Sequence, residues 1–137
     1  MPTYHPDLPS GCPPAEAIPM TGVIYRKARK PPHVITNADF YSGRERGDKT
    51  EDADCQRWGT SVWVHFDDVT HDLENFPYLQ KHRIVSVDID PTYGVIQHTP
   101  TNNRPHHRTF WRDYEIDFSQ ICRIVYSPDA WELQDAV

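Results

Sequence analysis

Apolar and polar positions alternate most regularly at residues 83–90, RIVSVDID, where Val85, Val87 and Ile89 oppose Ser86, Asp88 and Asp90. A period of two predicts a strand with one wet face. The same signal gives strands at 21–28 (TGVIYRKA), 59–66 (GTSVWVHF), 95–99, 106–112 and 120–126. In the 59–66 run Val62, Val64 and Phe66 are expected on the core side, with Ser61, Trp63 and His65 opposite. The pattern changes at 67–82: Val69, Leu73 and Phe76 recur at spacings of four and three, Asp67 and Asp68 open the run, and Lys81 and His82 close it. This predicts a helix, begun again or kinked at Pro77. Thr36 followed by Asp39 predicts a short helix over 37–43. The turn at 90–94 is expected to join two strands as a hairpin, and the tail after residue 127 to add a helical turn around Trp131 and Leu133. The sum is an α+β domain: one antiparallel sheet of about five strands with one or two helices.

Composition adds an arm to this domain. Six of the thirteen prolines fall within the first nineteen residues, and proline both fixes φ and removes a backbone donor. Residues 1–20 are therefore expected to be extended, anchored at Leu8, Ile18 and Met20, with residues 21–137 forming a single domain. Residues 43–57 contain almost nothing apolar and predict a long polar loop, of a length that tends to be functional or mobile. The three cysteines, at 12, 55 and 122, are odd in number and form no C-x-x-C pair. They predict free thiols, a reducing compartment and a cytoplasmic protein. No apolar run reaches membrane length and no signal sequence is legible at the start.

Charge singles out one segment. The chain carries a net charge of −6, which argues against nucleic-acid binding. Residues 94–112, GVIQHTPTNNRPHHRTFWR, nevertheless hold three His and three Arg without an acid. Arg104, Arg108 and Arg112 suit a phosphate or carboxylate, supported by Thr99, Thr101, Asn102 and Asn103, or else pair with acids of the same chain. Strand geometry sends His106 and His107 to opposite faces, so only one of them can join His98. A metal site would need His98, one of that pair, and Cys55, His65 or Asp88. The spacing H-x7-H-H matches no metal motif, and no metal or cofactor is expected. Cys55 sits beside Asp52 and Asp54, whose charge opposes thiolate formation, and Ser61 lacks a nucleophile-elbow sequence.

Two resemblances bear on function. Gly22-Val23-Ile24-Tyr25-Arg26 followed by Gly59-Thr60-Ser61-Val62-Trp63 is similar in order to the Arg and Ser-Thr-Ser strands of ADP-ribosyltransferase folds, which bind NAD in the cleft of a small split sheet. That resemblance implies roles for Arg26, Ser61 and a later acid such as Glu115, although no E-x-E sequence follows. The opening Leu8-Pro9-Ser10-Gly11-Cys12-Pro13-Pro14-Ala15, together with His106-His107 and Trp111, resembles a set of small uncharacterised bacterial proteins and brings no chemistry with it.

Two functions are expected on these grounds. The first is a small bacterial accessory protein that docks on a protein partner through the acidic 51–74 region, exposed Trp63 and Trp111, and the His/Arg segment. The second is a nucleotide- or NAD-binding enzyme using Arg26, Ser61, His98, His106, His107, Arg108 and Arg112 as ligand contacts. A concave convergence of these side chains favours the second, and a flat patch the first.

Overall fold

The structure is a computed structural model and describes residues 2–47, 55–74 and 81–128. Among these described residues are seven strands and one α-helix: β1 (Ile18–Pro19), β2 (Gly22–Ala28), β3 (Thr60–Val62), α1 (Phe66–Leu73), β4 (Arg83–Ile89), β5 (Gly94–His98), β6 (Arg108–Arg112) and β7 (Arg123–Tyr126). Short 3-10 turns cover Asn37–Phe40, Cys55–Trp58 and Phe118–Gln120. The α+β class holds, but the strands form two antiparallel sheets rather than one. Sheet one has the order β1-β5-β6-β3, and sheet two the order β2-β4-β7.

The chain changes sheet at the turn after β4. The Asp90 carboxylate accepts the Thr92 amide at 2.7 Å, and the Tyr93 amide returns to the Asp90 carbonyl. This turn carries the chain out of β4 and into the other sheet, so β4 and β5 do not form the expected hairpin; β5 pairs with β6. The two sheets touch where Tyr25 and Trp63 exchange backbone hydrogen bonds of 2.7 and 2.9 Å.

Between the sheets lies the main core. Ile24, Val85, Val87 and Ile89 enter from sheet two, Val62, Ile96 and Phe110 from sheet one, and Phe40 and Phe118 fill the space between. Phe118 is fully buried against both Phe40 and Phe110, so its loss to alanine is expected to cost about 3–5 kcal/mol. A smaller cluster of Trp63, Val69, Leu73 and Ile84 sits under α1. That helix starts after His65 with Asp67 and Asp68 in its first turn, where negative charge offsets the exposed amides. It is shorter than expected within the described residues; the proposed continuation around Phe76 and Pro77, and the tail turn at Trp131, lie outside them.

The Pro-rich arm packs on its own domain. Ile18 and Pro19 pair with β5, the Thr3 amide donates to Asp113 at 2.9 Å, and the His5 ring lies against Trp58 and Tyr114. Cys12 is joined to Cys55 by a disulfide, with Cys122 the free thiol. This overturns the expectation of three free cysteines: two residues 43 apart in sequence meet because the arm folds back over the Cys55–Trp58 turn. It also removes the ground for assigning a reducing compartment. Among the described residues no helix is long and apolar enough to cross a membrane.

Candidate functional site

Arg26 lies between Ile24 and Ala28 on the core-facing side of β2, an unusual place for a cation, and is buried. Its guanidinium is held by carbonyls: Nε donates to Asp39 at 2.6 Å and Nη1 to Ser61 at 2.8 Å. The second bond ties sheet two to sheet one next to the point where they touch. Burial foremost, and then the charges of Arg46 and Arg112, push the Arg26 pKa down to about 9 against the opposing pull of Asp39.

Ser61 faces outward on β3 opposite Thr109 of β6. His107, two residues before Thr109, shares that outward face, and its Nε2 lies 2.7 Å from Ser61 Oγ. The other ring nitrogen, Nδ1, meets the Thr99 carbonyl at 3.0 Å and the Thr99 hydroxyl at 2.9 Å. A carbonyl only accepts, so Nδ1 carries the proton and Nε2 accepts from the serine. Burial depresses the His107 pKa despite the Thr99 contact, with Arg104 adding to the depression, and the ring is neutral at pH 7. The result is a serine hydroxyl whose proton points at a neutral imidazole fixed by a backbone acceptor, the arrangement that general-base activation requires.

Two concavities share Gly43, Gly59 and Ser61 as a common wall. The first, about 320 Å³, is bordered by Gln56, Arg57 and His107; the second, about 200 Å³, by Arg26, Lys27, Arg46 and Arg104. Gly59 is required by space, since a Cβ there would collide with Thr109 Cγ2 and crowd the Trp111 ring. The second concavity is strongly cationic. Arg46 donates to the carbonyls of Tyr41, Ala38 and Asp39, so its charge is positioned without being cancelled by those contacts. The nearby Asp39 carboxylate is taken by Arg29 and by the Thr36 amide. Burial, then Arg26, Arg46 and Arg104, push Lys27 down to about 8. No carboxylate lines either concavity among the described residues. A larger cavity, about 470 Å³, lies elsewhere beside Leu73, Ile84 and Tyr126, and is mostly apolar.

The structure thus brings together Arg26, Ser61 and His107 and separates the rest. Arg112 is buried in an ion pair with Glu45, with Nε on the Phe40 carbonyl. Arg108 lies on the opposite face of β6 from Thr109, half-buried, with its Nε lacking a hydrogen-bond partner. His98 is exposed at the end of β5, its Nε2 3.0 Å from the Pro105 carbonyl. His106 lies in the turn before β6, outside the strand expected over 106–112, and meets α1 through Asp72 and Asp68. The metal set of His98 with Cys55, His65 or Asp88 is not assembled: Cys55 is in the disulfide, and the His/Cys/Asp/Glu group close enough to share an ion among the described residues is His71, Asp72 and His106. Glu115 is exposed in the loop beyond β6 and lines neither concavity. The third corner of the cleft belongs to His107 rather than to an acid.

Sequence reasoning missed Lys27 and Arg46 in this role. The one signal for Arg46 was its place in the long polar stretch, and for Arg26 its position within an apolar strand face. Comparison with protein-family models, with curated proteins and with solved structures returns no match.

Proposed function

We propose that this chain binds a phosphate-bearing nucleotide, with NAD the first candidate, in the cleft where its two sheets part. The observation that carries the reading is the cationic concavity of Arg26, Lys27, Arg46 and Arg104 beside Ser61 and His107. Cations crowded closely enough to depress one another gain from an anion that neutralises them, and the two adjoining concavities, about 200 and 320 Å³, give it room. The order of Arg26 and Ser61 on strands that meet at the sheet junction supports NAD in particular, by the resemblance to ADP-ribosyltransferase folds.

His107 in place of the implied acid changes what the cleft offers to a bound ligand. A neutral imidazole accepts a hydrogen bond from the serine, and among the described residues no carboxylate lines the cleft to stabilise a sugar cation. The reading is therefore nucleotide binding with a Ser61–His107 pair at the ligand, rather than ADP-ribosyl transfer by the usual residue set. The protein-docking alternative loses its anchors: Trp63 is 1% and Trp111 2% exposed, because α1 covers the first and the Cys55 carbonyl caps the indole of the second.

Calorimetric titration with NAD, ADP-ribose, AMP and inorganic phosphate tests this, with Lys27→Met and His107→Gln as comparison variants. Saturable binding of the nucleotides, weakened in both variants while their folds are intact, is the expected result. Absence of heat with all four ligands overturns the reading.

A further inference from the structure

A second polar cluster lies at the indole N–H of Trp63, a residue that also lines the cationic concavity. Asp68, His71 and Asp72 occupy positions i, i+3 and i+4 of α1 and so share one face of the helix. Asp72 is fully buried, and its Oδ2 is occupied on the protein side, accepting Trp63 Nε1 and the His106 amide at 2.9 Å each. Those two donors fix the carboxylate and leave Oδ1 turned toward the imidazoles, with His71 Nδ1 3.2 Å away. His106 is brought over the helix by its own amide bond to Asp72, its ring 5.4 Å from that of His71 and its Nδ1 3.8 Å from Asp68 Oδ1. One ligand atom from each of His71, Asp72 and His106 lies within 4.8 Å of the others.

We propose that His71, Asp72 and His106, with Asp68 as fourth ligand, bind a zinc ion. The donor set suits it: imidazole nitrogen and carboxylate oxygen are zinc ligands, and ligands about 2.0–2.1 Å from a tetrahedral ion stand about 3.3 Å apart. The separation of His71 Nδ1 and Asp72 Oδ1 is already at that value. The support expected around a metal ligand is in place too, since Trp63 and the His106 amide orient the one ligand that is buried. Both imidazoles are open to solvent on one side, with side-chain exposures of 63% for His71 and 43% for His106, so an ion can enter without unfolding the domain. The ion joins α1 to the loop that ends in His107, and so fixes the approach to β6.

The test is titration of the purified full chain with Co²⁺, followed by visible absorption, and displacement by Zn²⁺. One equivalent of Co²⁺ giving the intense bands of a tetrahedral site, displaced by one equivalent of Zn²⁺, is expected. His71→Ala and His106→Ala abolish the bands, and His33→Ala, remote from the cluster, retains them. Trp63→Phe keeps an aromatic ring, removes the donor to Asp72, and weakens binding by about 10- to 100-fold. Circular dichroism of each metal-free variant reports its fold; should His106→Ala unfold, Asp68→Asn on the helix surface takes its place and weakens binding. No saturable binding near one equivalent, or bands unchanged in folded His71→Ala and Asp68→Asn, overturns the proposal.

Discussion

Ser61 Oγ and His107 Nε2 stand 2.7 Å apart although 46 residues separate them, because β3 and β6 pair in a register that sets Ser61 opposite Thr109. The direction of this contact follows the charge of the ring: a neutral imidazole with its proton on Nδ1 accepts from the serine hydroxyl, whereas a protonated one would donate to the serine oxygen and leave it no base. Burial supplies that neutrality by depressing the His107 pKa below 6.5.

A pH dependence of stability follows. Below pH 6.5 the unfolded chain takes up a proton on this histidine that the native state resists, so the His107 contribution to stability falls as pH drops through that range. Melting temperatures of the wild type and of His107→Gln, measured between pH 5 and pH 8, should converge or cross toward the acid end. A constant difference across the range is incompatible with a depressed pKa.

Lys27 gives the opposite window. Its native pKa, about 8 against an ordinary 10.5, means that the native state sheds a proton the unfolded chain retains. Stability gained from this site therefore rises as pH increases from about 8 to 10.5, and Lys27→Met should flatten that rise. A bound anion reverses the depression, so nucleotide binding is expected to draw in protons near pH 8 and to weaken above it. Calorimetry in two buffers of different ionisation heat measures the uptake directly.

How much of this was open to sequence reasoning depends on the range of the interaction involved. The strands at 83–89 and 22–28 announce themselves by alternation, and Thr36–Asp39 by its capping pattern, because these signals are local. The division into two sheets is not local. It rests on whether the chain after Asp90 doubles back on β4 or crosses to β1 and β6, and the turn residues permit either. Alternation separated His106 from His107 on the premise of a strand over 106–112, but β6 begins at Arg108, and it is the turn before it that brings His107 to Ser61 and His106 to Asp72. Trp63 was misplaced for a related reason: its strand face is wet near Ser61 and covered by α1 one step later. The disulfide escaped because cysteine count is evidence only about pairing frequency, while the arm's return path decides which sulfurs meet.

The disulfide itself makes a measurable claim. It closes a loop of 43 residues and ties the arm to the Cys55–Trp58 turn, whose Gln56 and Arg57 border the cleft. Loop-closure entropy puts its contribution at up to about 4 kcal/mol. Urea unfolding of Cys12→Ser, Cys55→Ser protein should show a loss of roughly 2–4 kcal/mol. Nucleotide affinity should fall as well, since the turn loses its tether. A variant as stable as the wild type removes any structural role for the bond.

Arg112 and Glu45 test the assignment of an arginine that looked like a ligand contact. Their side chains are 5% and 9% exposed, and Arg112 also spends Nε on the Phe40 carbonyl and lies 5.1 Å from the centre of the Tyr41 ring. Removing one member of such a pair leaves a buried charge unmatched, so Glu45→Gln and Arg112→Met should each cost about 3–5 kcal/mol. The double variant replaces charge by neutral volume on both sides, and is expected to lose less than the two single losses combined. Denaturant unfolding of all four proteins gives the coupling. A large coupling identifies Arg112 as a member of the frame that holds the Ser42–Arg46 turn against β6. Additive losses, together with weakened nucleotide binding in Arg112→Met alone, would return Arg112 to the ligand site and move the anion toward β6.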